Sequence, residues 1–513
     1  MSTLHQRLRA LPAQTLKGIR RGIEKESLRV RADGKLSTRP HPAALGSALT
    51  DPHITTDFSE SQLELITGVH AGVEACLQEL AQIHQVVYRH IGDEMLWCSS
   101  MPCGLPGDDA IPLGRYGGSN VGRAKTVYRT GLAYRYGRRM QTISGIHYNF
   151  SLPGVSNDGY FSLIRNFRRH SWLLLYLFGA SPAVCSSFVA GRRHDLQELK
   201  SGTLYRPGAT SLRMGPLGYQ SDAQSSLAVS YNGLESYGRS LEDALTRPYP
   251  PYEKIGVRDG DDYRQLGTTL LQIENEFYGT IRPKRVINQG ERPLHALRER
   301  GIEYVEVRCM DLDPFCPIGI DAPVVRFLDV FLLHCLLCDS PPDTPGEIAA
   351  LGRNQHRAAL HGREPGLRLE RDGAEVSLTD WGREVVEACK PIAARLDEVH
   401  GVTAYGEAVT TAIEALGDPD ATPSARVLRG MMETHDSTYV HFGLAKSLEH
   451  RDTLRGMPLA LEVEERFRRL AEESLIEQQR IEAADTMPFE IYRQEYLSRA
   501  RLGVRQRDVP DMA

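Results

Sequence analysis

The chain has 513 residues, of which 41% are hydrophobic and 25% charged, and these ordinary globular values disfavour disordered and fibrous proteins. Its formal net charge of −5 gives no support for binding to nucleic acids or to anionic membranes. Nine cysteines without regular spacing, and an N-terminus without an apolar signal core, favour a protein of the reducing cytoplasm.

The predicted elements change in character along the chain. From about residue 17 to 320, short β-like runs and Gly or Pro turns alternate with a few helices, whereas the remainder is mostly helical. Apolar residues at three- and four-residue steps predict helices at 73–92 and 324–338. The apolar run 172–188 is interrupted by Gly, Ser and Pro and is interpreted as buried core, while the mixed charges of 461–483 predict a helix with a solvated face. This order of elements predicts an α+β fold.

Two carboxylates separated by one residue mark the first predicted strand. Side chains alternate along a strand, so Glu24 and Glu26 project from one face while Lys25 points to the other. Like charges held this close repel each other, and a divalent cation bound by hard oxygen ligands relieves the repulsion. The pair therefore predicts a metal site.

Four later β-like runs also place ionisable groups on one face and apolar groups on the other. Each run taken alone fits an ordinary antiparallel strand with one face in water. A solvated face normally carries Thr, Lys and mixed charges, whereas these faces carry acidic residues with one His and one Arg, which suits a site for metals and phosphate. We therefore predict one concave sheet, lined by Glu24 and Glu26 together with Gln62, Glu64, His147, Asn149, Gln272, Glu274, Glu276, Tyr278, Tyr304, Glu306 and Arg308.

Basic residues accompany the acidic runs, as expected where metal ions and Arg side chains hold a nucleoside triphosphate. Arg282 and Arg285 directly follow one acidic run, and this adjacency favours a role at the site. A solvated helix face is the preferred interpretation of a second group, Arg135, Arg138 and Arg139.

Several common motifs are absent from the sequence. No P-loop, Rossmann fingerprint or nucleophile elbow occurs, which argues against those three classes of enzyme. Cys335 and Cys338 have no second Cys or His pair at zinc spacing, so we interpret them as buried structural cysteines.

The runs described above, taken together, resemble bacterial glutamate–cysteine ligases of the proteobacterial type. The resemblance covers residues 17 to about 330 in the same order, in the motifs GIEKE (22–26), ITTDF (54–58), MQTISGIHYNF (140–150), QIENE (272–276, continuing to 285) and GIEYVEVR (301–308). It implies a glutamine synthetase-like fold, in which a curved antiparallel sheet forms an active-site funnel surrounded by helices. It also implies ATP-dependent ligation of the γ-carboxyl of L-glutamate to the amino group of L-cysteine through a γ-glutamyl phosphate, the first step of glutathione synthesis.

The resemblance also implies roles for individual residues. Arg308 would contact the transferred phosphoryl group, and Arg129 would meet a substrate carboxylate. Arg282 and Arg285 would contact phosphate or the glutamate carboxylate. The cofactor would be two or three Mg²⁺ ions, for which Mn²⁺ can substitute, with ATP as co-substrate. The implied metal ligands are Glu24, Glu26, Asp57, Glu64, His147 and Glu306, and the aromatic residues around the cysteine substrate are Phe58, Tyr128, Tyr219 and Tyr278.

Two alternatives to this function remain open from the sequence. One is a carboxylate–amine ligase of the same superfamily that uses another amine, and the other is a metal-dependent phosphohydrolase or nucleotide-binding regulator. We expect residues 1–513 to form a single catalytic unit, with a sheet-containing core over about 1–340 and a mainly helical region over about 341–513 packed on it. No nucleic acid, membrane or protein partner is predicted.

Overall fold

The computed structural model describes residues 3–200, 202–218, 222–225, 227–288 and 290–503. Within these ranges the strands are β1 Arg20–Val30, β2 Ile54–Thr56, β3 Gln62–Ile66, β4 Met95–Leu96, β5 Ile146–Ser151, β6 Ala183–Cys185, β7 Gln197–Lys200, β8 Thr203–Tyr205, β9 Arg258–Asp259, β10 Asp262–Tyr263, β11 Ile281–Lys284, β12 Tyr304–Met310, β13 Arg368–Arg371 and β14 Ala374–Ser377.

The helices of the same ranges surround the strands and dominate the C-terminal third. They are α1 Thr3–Ala10, α2 Ala13–Lys17, α3 Val73–His90, α4 Asn120–Tyr136, α5 Asn157–Phe178, α6 Ser186–Val189, α7 Asp222–Ser225, α8 Leu234–Thr246, α9 Pro250–Ile255, α10 Pro293–Arg300, α11 Ala322–Leu337, α12 Pro345–His361, α13 Leu378–His400, α14 Ala404–Gly417, α15 Pro423–Thr434, α16 Tyr439–Gly456, α17 Leu461–Ala484 and α18 Phe489–Leu497.

One antiparallel sheet organises the site. Within the described residues its strand order is β11-β12-β5-β1-β3-β2, with β4 paired to the end of β1. The predicted strands β1, β3, β5 and β12 are thereby confirmed as neighbours in one sheet. Their apolar side chains are buried on the opposite face from the ionisable groups, as alternation requires: Ile23, Leu63, Leu65, Tyr148, Phe150, Val305 and Val307.

Helices α5 and α11 pack together, and α5 also contacts β11 and β12. The apolar periodicity located α11 to within two residues, and its first turn is capped by the Asp321 carboxylate, which accepts a hydrogen bond from the backbone N–H of Val324 (3.0 Å). A buried ion pair joins α11 to β1, because Arg21 lies 2.8 Å from Asp329. Tyr148 of β5 donates to the same carboxylate (2.6 Å), so three elements are fixed through one buried charge.

The other predicted helical and apolar segments are also found. The segment 73–92 forms α3, and 461–483 forms α17, whose residues are mostly exposed. The apolar run 172–188 is divided between the end of α5, β6 and α6, and its hydrophobic side chains are largely buried. Among the described residues no helix is both long enough and apolar enough to cross a membrane.

The predicted strand at 272–278 is wrong. This segment is a loop with one 3-10 turn, Glu274–Glu276, and its carboxylates pair with arginines outside the sheet. Glu276 lies 2.9 Å from Arg135, and Glu274 lies 2.7 Å from Arg292. The interpretation of Arg135 as solvated is therefore also wrong, because its side chain is fully buried in this ion pair. Sequence alternation cannot reveal such partners, since they lie far away along the chain.

The cysteines give one unexpected feature. Cys103 and Cys185 form a disulfide with a Cα–Cα distance of 5.1 Å, although they are 82 residues apart in sequence. Sequence reasoning did not predict this pairing. Cys335 is buried in α11, as interpreted, whereas Cys338 lies only half-buried at the end of that helix; both are free thiols.

Candidate active site

The centre of the site is the polar face of β1 and its neighbours. Glu24 on β1 lies opposite His147 on β5, and Glu26 lies opposite Glu64 on β3. Glu306 reaches the same place from β12, which pairs with β5 on its other side. Antiparallel register thus brings together five side chains from four strands, which is the convergence that the alternating patterns predicted.

His147 connects two groups of candidate metal ligands. Its Nδ1 atom lies 3.2 Å from a Glu24 oxygen and 3.9 Å from a Glu306 oxygen, while its Nε2 atom lies 3.7 Å from Glu26. One ligand atom each from Glu24, His147 and Glu306 lie within 4.8 Å of one another, and the same holds for Glu26, Glu64 and His147. The Nε2 atom is buried and makes no hydrogen bond to any described residue, so this donor set fits a divalent cation.

Two of the central carboxylates are crowded in the protein alone. Burial and the nearby charge of Asp57 raise the pKa of Glu26 to about 8. Burial and the charges of Glu24 and Asp57 raise the pKa of Glu64 well above its ordinary value. A cation bound here would supply the positive charge that these carboxylates need in order to ionise together.

Cations lie along one edge of the acidic centre. Glu306 is 3.0 Å from Lys284 and 3.1 Å from Arg308, and although burial opposes ionisation, these cations lower the pKa of Glu306 well below its ordinary value. Burial likewise opposes ionisation of Glu24, but its hydrogen bond with His147 leaves its pKa lowered. Negative and positive groups therefore adjoin on one face, an arrangement able to hold metal-bound phosphate oxygens.

The aromatic residues line another part of the same cavity. Phe58, Tyr128 and Tyr278 all contribute to its wall, and Gln141 donates to the Tyr278 hydroxyl (2.9 Å). Burial raises the pKa of both tyrosines, so their hydroxyls are protonated at neutral pH. Tyr219 lies outside the described residues.

Asp57 and Arg129 connect the aromatic wall to the acidic centre. Arg129 on α4 donates from Nε to the backbone carbonyl of Asp57, and its guanidinium lies 4.3 Å from the centre of the Tyr116 ring. Both side chains line the cavity. Arg129 thus presents a fixed positive charge beside Asp57, in a position to receive a carboxylate.

The cavity has a volume of about 720 Å³, and all the described residues to which the resemblance assigned roles line it except Arg285. Of the wider set of polar-face residues predicted from alternation, five do not line it: Gln62, Asn149, Gln272, Glu276 and Tyr304. Arg282 lies at its wall, 3.9 Å from Glu306, and also donates to the Asn275 carbonyl (2.9 Å). The prediction for Arg285 is not supported. Its guanidinium donates instead to the backbone carbonyls of Arg300 and Gly301, and the residue lies just past the end of β11.

Sequence reasoning missed several residues of the cavity wall. Lys125 precedes Tyr128 and Arg129 by three and four residues on α4, a helical spacing that would have placed it on the same face. Lys284 lies two residues after Arg282 on β11, and this strand spacing would have placed both side chains on the same face of the sheet. No local signal existed for the wall residues of the C-terminal helices, Glu477, Ile481, Tyr492 and Tyr496.

The fold and the site together define a class of protein. An antiparallel sheet that carries clustered carboxylates, one histidine and an edge of Lys and Arg is suited to metal-dependent chemistry on phosphate compounds. The chain belongs to the glutamate–cysteine ligase family, whose family model, "Glutamate-cysteine ligase", matches residues 5–358.

Relatives and solved structures agree with this membership. The chain is 50% identical to the glutamate–cysteine ligase of Pseudomonas entomophila (strain L48), over 95% of this chain and 96% of that protein. It is 48% identical to the enzyme of Alcanivorax borkumensis, over 97% and 99%. Its structure matches the Francisella tularensis glutamate–cysteine ligase solved in complex with AMP, with a TM-score of 0.89, 36% identity, and coverage of 94% of this chain and 97% of that chain.

A second solved structure extends the comparison to a longer protein. A bifunctional glutathione synthetase from Pasteurella multocida matches with a TM-score of 0.70 and 27% identity, over 90% of this chain and 55% of that chain. The resemblance to the family and the α+β fold expected from the sequence are thereby confirmed.

Proposed function

We propose that this chain joins the γ-carboxyl of L-glutamate to the amino group of L-cysteine at the expense of ATP, giving γ-glutamylcysteine. The observation that carries the proposal is the polar face of the sheet, where carboxylates on both sides of His147 adjoin Lys284 and Arg308, in a chain of the glutamate–cysteine ligase family. The relative solved with AMP supports ATP as the co-substrate.

Mg²⁺ is the proposed metal, in two or three positions, with Mn²⁺ able to substitute. Carboxylate-rich ligand sets of this kind suit a hard cation, and the Nε2 atom of His147, which has no hydrogen-bond partner among the described residues, would supply a nitrogen donor. Bound there, Mg²⁺ would neutralise charge between ATP and the glutamate carboxylate. The proposed ligands are Glu24, Glu26, Asp57, Glu64, His147 and Glu306.

In the proposed first step, a γ-carboxylate oxygen of glutamate attacks the terminal phosphorus of ATP and ADP leaves. The product is γ-glutamyl phosphate, in which the carboxyl carbon has become a good acyl donor. Arg308, fixed 3.1 Å from Glu306, would hold the transferred phosphoryl oxygens through charge-assisted hydrogen bonds. Arg282 would contact phosphate or the glutamate carboxylate from the neighbouring strand.

In the proposed second step, the cysteine amine attacks the acyl carbon, inorganic phosphate leaves, and the amine loses a proton. Phe58, Tyr128 and Tyr278 would enclose the cysteine side chain and keep water from the acyl phosphate. Arg129 would bind a substrate carboxylate and thereby align the amine. Alignment and electrostatics suffice for this chemistry, so no nucleophilic Ser or Cys is needed.

The test is to measure phosphate release from ATP and Mg²⁺ with glutamate present, and to add cysteine, other amines or no amine. We expect release to depend on glutamate and to rise most with cysteine, with γ-glutamylcysteine identified by mass spectrometry. Equal release without any amine would favour the phosphohydrolase alternative. Equal stimulation by many amines would favour a ligase with a different acceptor.

Two further expectations accompany this proposal. The substrates are small intracellular metabolites, so we propose that the enzyme works in the cytoplasm. We also propose that the sheet-containing region and the C-terminal helices act as one catalytic unit, since α17 and α18 contribute side chains to the wall of the cavity.

A further inference from the structure

A second cavity lies beside the main cavity around the acidic centre. It has a volume of about 530 Å³ and shares no lining residue with the main cavity. Its wall includes the loop at 112–115 together with Thr38, Glu60, Thr126 and Arg138. We call it the Arg115 cavity, and no step of the proposed chemistry uses it.

Two arginines of the Arg115 cavity have no carboxylate partner among the described residues. The exposed Arg115 side chain makes no ion pair and no hydrogen bond to any residue that the structure describes. Arg138 donates from Nη1 alone, to the backbone carbonyls of Asp109 and Ile111 (both 2.8 Å). Two guanidinium groups in one cavity thus keep donors available, and such donors are suited to bind acid groups.

One carboxylate shares the wall of the Arg115 cavity. Glu60 is buried, and its two oxygens accept hydrogen bonds from the backbone N–H groups of His41 (2.8 Å) and Arg115 (2.7 Å). A carboxylate can accept about four hydrogen bonds, so Glu60 retains room for a further donor. The cavity therefore holds two positive groups and one negative group.

Backbone contacts join the Arg115 cavity to the main cavity. The N–H of Gly114 donates to the carbonyl of Phe58 (2.9 Å), and the Ser59 hydroxyl donates to the carbonyl of Pro112 (2.5 Å). Asp57 and Phe58 line the main cavity. A ligand held against the loop at 112–115 would therefore act on the segment that carries a proposed metal ligand and part of the aromatic wall.

We propose that the Arg115 cavity binds a small amino dicarboxylic acid as an effector of the main cavity. Arg115 and Arg138 contact its two carboxylates, and Glu60 contacts its ammonium group. This ligand has two negative charges and one positive charge, so it complements the three charged groups of the wall. The apolar side chains of Pro112 and Leu113 suit its short carbon skeleton. The binding site itself does not rest on the proposed function.

The first test is calorimetric titration of the metal-free protein with L-aspartate. Arg115→Gln should weaken binding at least about tenfold, the effect of losing one charge-assisted contact. Arg115 is the position of choice because its side chain makes no contact with described residues that the substitution would remove. In the wild type, succinate, which has both carboxylates but no ammonium group, should bind at least about threefold more weakly than aspartate.

Arg193→Gln is the matched control, since Arg193 is an exposed arginine that lines neither cavity, and it should bind aspartate as the wild type does. Thermal unfolding of both variants verifies that they are folded. An aspartate affinity that is unchanged in Arg115→Gln would overturn the proposal, because any binding would then belong to another site. Succinate binding as tight as aspartate would overturn the role of Glu60.

The second test measures the effect on the main cavity by phosphate release with ATP, Mg²⁺, glutamate and cysteine, and this arm alone rests on the proposed function. Saturating aspartate should change the KM for cysteine about fivefold or more in the wild type, and much less in Arg115→Gln. Competition between aspartate and glutamate in the main cavity would be equal in both proteins, so their difference reports the Arg115 cavity. An equal effect in both would overturn the role as an effector, whereas absence of any ligation would count against the proposed function and leave the titration to decide the site.

Discussion

At the scale of single residues, the site is arranged for a ligand rather than for its own stability. Glu26 and Glu64 face each other across β1 and β3, and their neighbours add negative charge. Such crowding is unfavourable in the protein alone and becomes favourable when cations bind. Function and stability therefore make opposite demands on the same side chains.

Glu64→Gln is expected to separate these two demands. The amide keeps the shape of the side chain but removes one charge, so the rate of Mg²⁺-dependent ligation should fall at least about 100-fold. The melting temperature without metal should stay the same or rise, because repulsion is relieved. Steady-state rates over a range of Mg²⁺ concentrations and thermal unfolding in EDTA provide the measurements.

The exposed Glu303, which lies outside the main cavity, provides the control for Glu64. Glu303→Gln should change neither rate nor melting temperature appreciably. A wild-type rate in Glu64→Gln would remove Glu64 from the proposed ligands, and a markedly lower melting temperature would contradict the crowding argument.

Arg282 on β11 and Arg285 just past its end provide a second comparison. Arg282 lines the cavity, whereas Arg285 holds the carbonyls at the end of α10. We expect Arg282→Lys to lower kcat or raise a substrate KM by about tenfold, because a lysine cannot reproduce the fork of guanidinium donors. Arg285→Lys should leave both constants close to wild type and lower only the melting temperature. Loss of activity without loss of stability in Arg285→Lys would return that residue to the site.

At the scale of elements, the sheet is attached to the helical layer through buried charge. The Arg21–Asp329 ion pair joins β1 to α11, and Tyr148 adds β5 to the same contact. Because Glu24 and Glu26 follow Arg21 on β1, this contact also fixes the strand that carries the central carboxylates.

Asp329→Asn should destabilise the protein by about 3–5 kcal/mol, because it leaves the Arg21 guanidinium buried without its counter-charge. Replacing both residues with apolar ones of similar size, Arg21→Met with Asp329→Leu, should recover much of that loss. Urea unfolding monitored by circular dichroism measures both effects. The exposed pair Arg31–Asp33 is the control, and Asp33→Asn should change stability little. A double variant no more stable than Asp329→Asn would contradict this account.

At the scale of the whole molecule, one cavity depends on residues from both ends of the chain. Side chains from β1 and β12 meet side chains from α17 and α18, although about 470 residues separate the first from the last. Contacts such as Asn120 to Asp485 attach the C-terminal helices to α4. The shape of the cavity therefore depends on the packing of the C-terminal helices against the rest of the molecule.

Buried histidines give the whole molecule a predictable response to acid. Burial lowers the pKa of His334 and His450 to about 4, from an ordinary value of 6.5. Between pH 6.5 and 4 the unfolded chain therefore binds more protons than the folded protein, so the free energy of unfolding falls as the pH falls through this range. We expect a loss of about 2 kcal/mol for each histidine between pH 7 and pH 5.

Urea midpoints at pH 7 and pH 5 measure this loss. His334→Leu removes one of these titrating groups and should make the difference in stability between the two pH values smaller. His194→Leu, at an exposed position, is the control and should leave the difference unchanged. A difference that is the same in His334→Leu as in the wild type would contradict the assignment.

The local sequence pattern was sufficient to predict those strands and helices whose apolar side chains all pack against one neighbouring layer of the fold. The alternation in β1, β3, β5 and β12 predicted both the strands and the face that carries the candidate metal ligands, because period-two alternation leaves only one way to bury the apolar side. Family motifs in the same strands then indicated the chemistry. The helices α3, α11 and α17 followed from apolar or mixed-charge periodicity in the same way.

The tertiary structure alone decided those features of the fold and the site that depend on residues distant along the chain. The segment 272–278 alternates like a strand, yet Arg135 and Arg292 neutralise its carboxylates and hold it as a loop. Three further features depend on contacts between segments that are distant along the chain, which no local sequence pattern reveals. They are the direction of the Arg285 side chain, the Cys103–Cys185 disulfide and the contribution of Tyr492 to the cavity wall. The sequence by itself determined the acidic strands and their family, and the packing of the C-terminal helices decided how the cavity around those strands is closed.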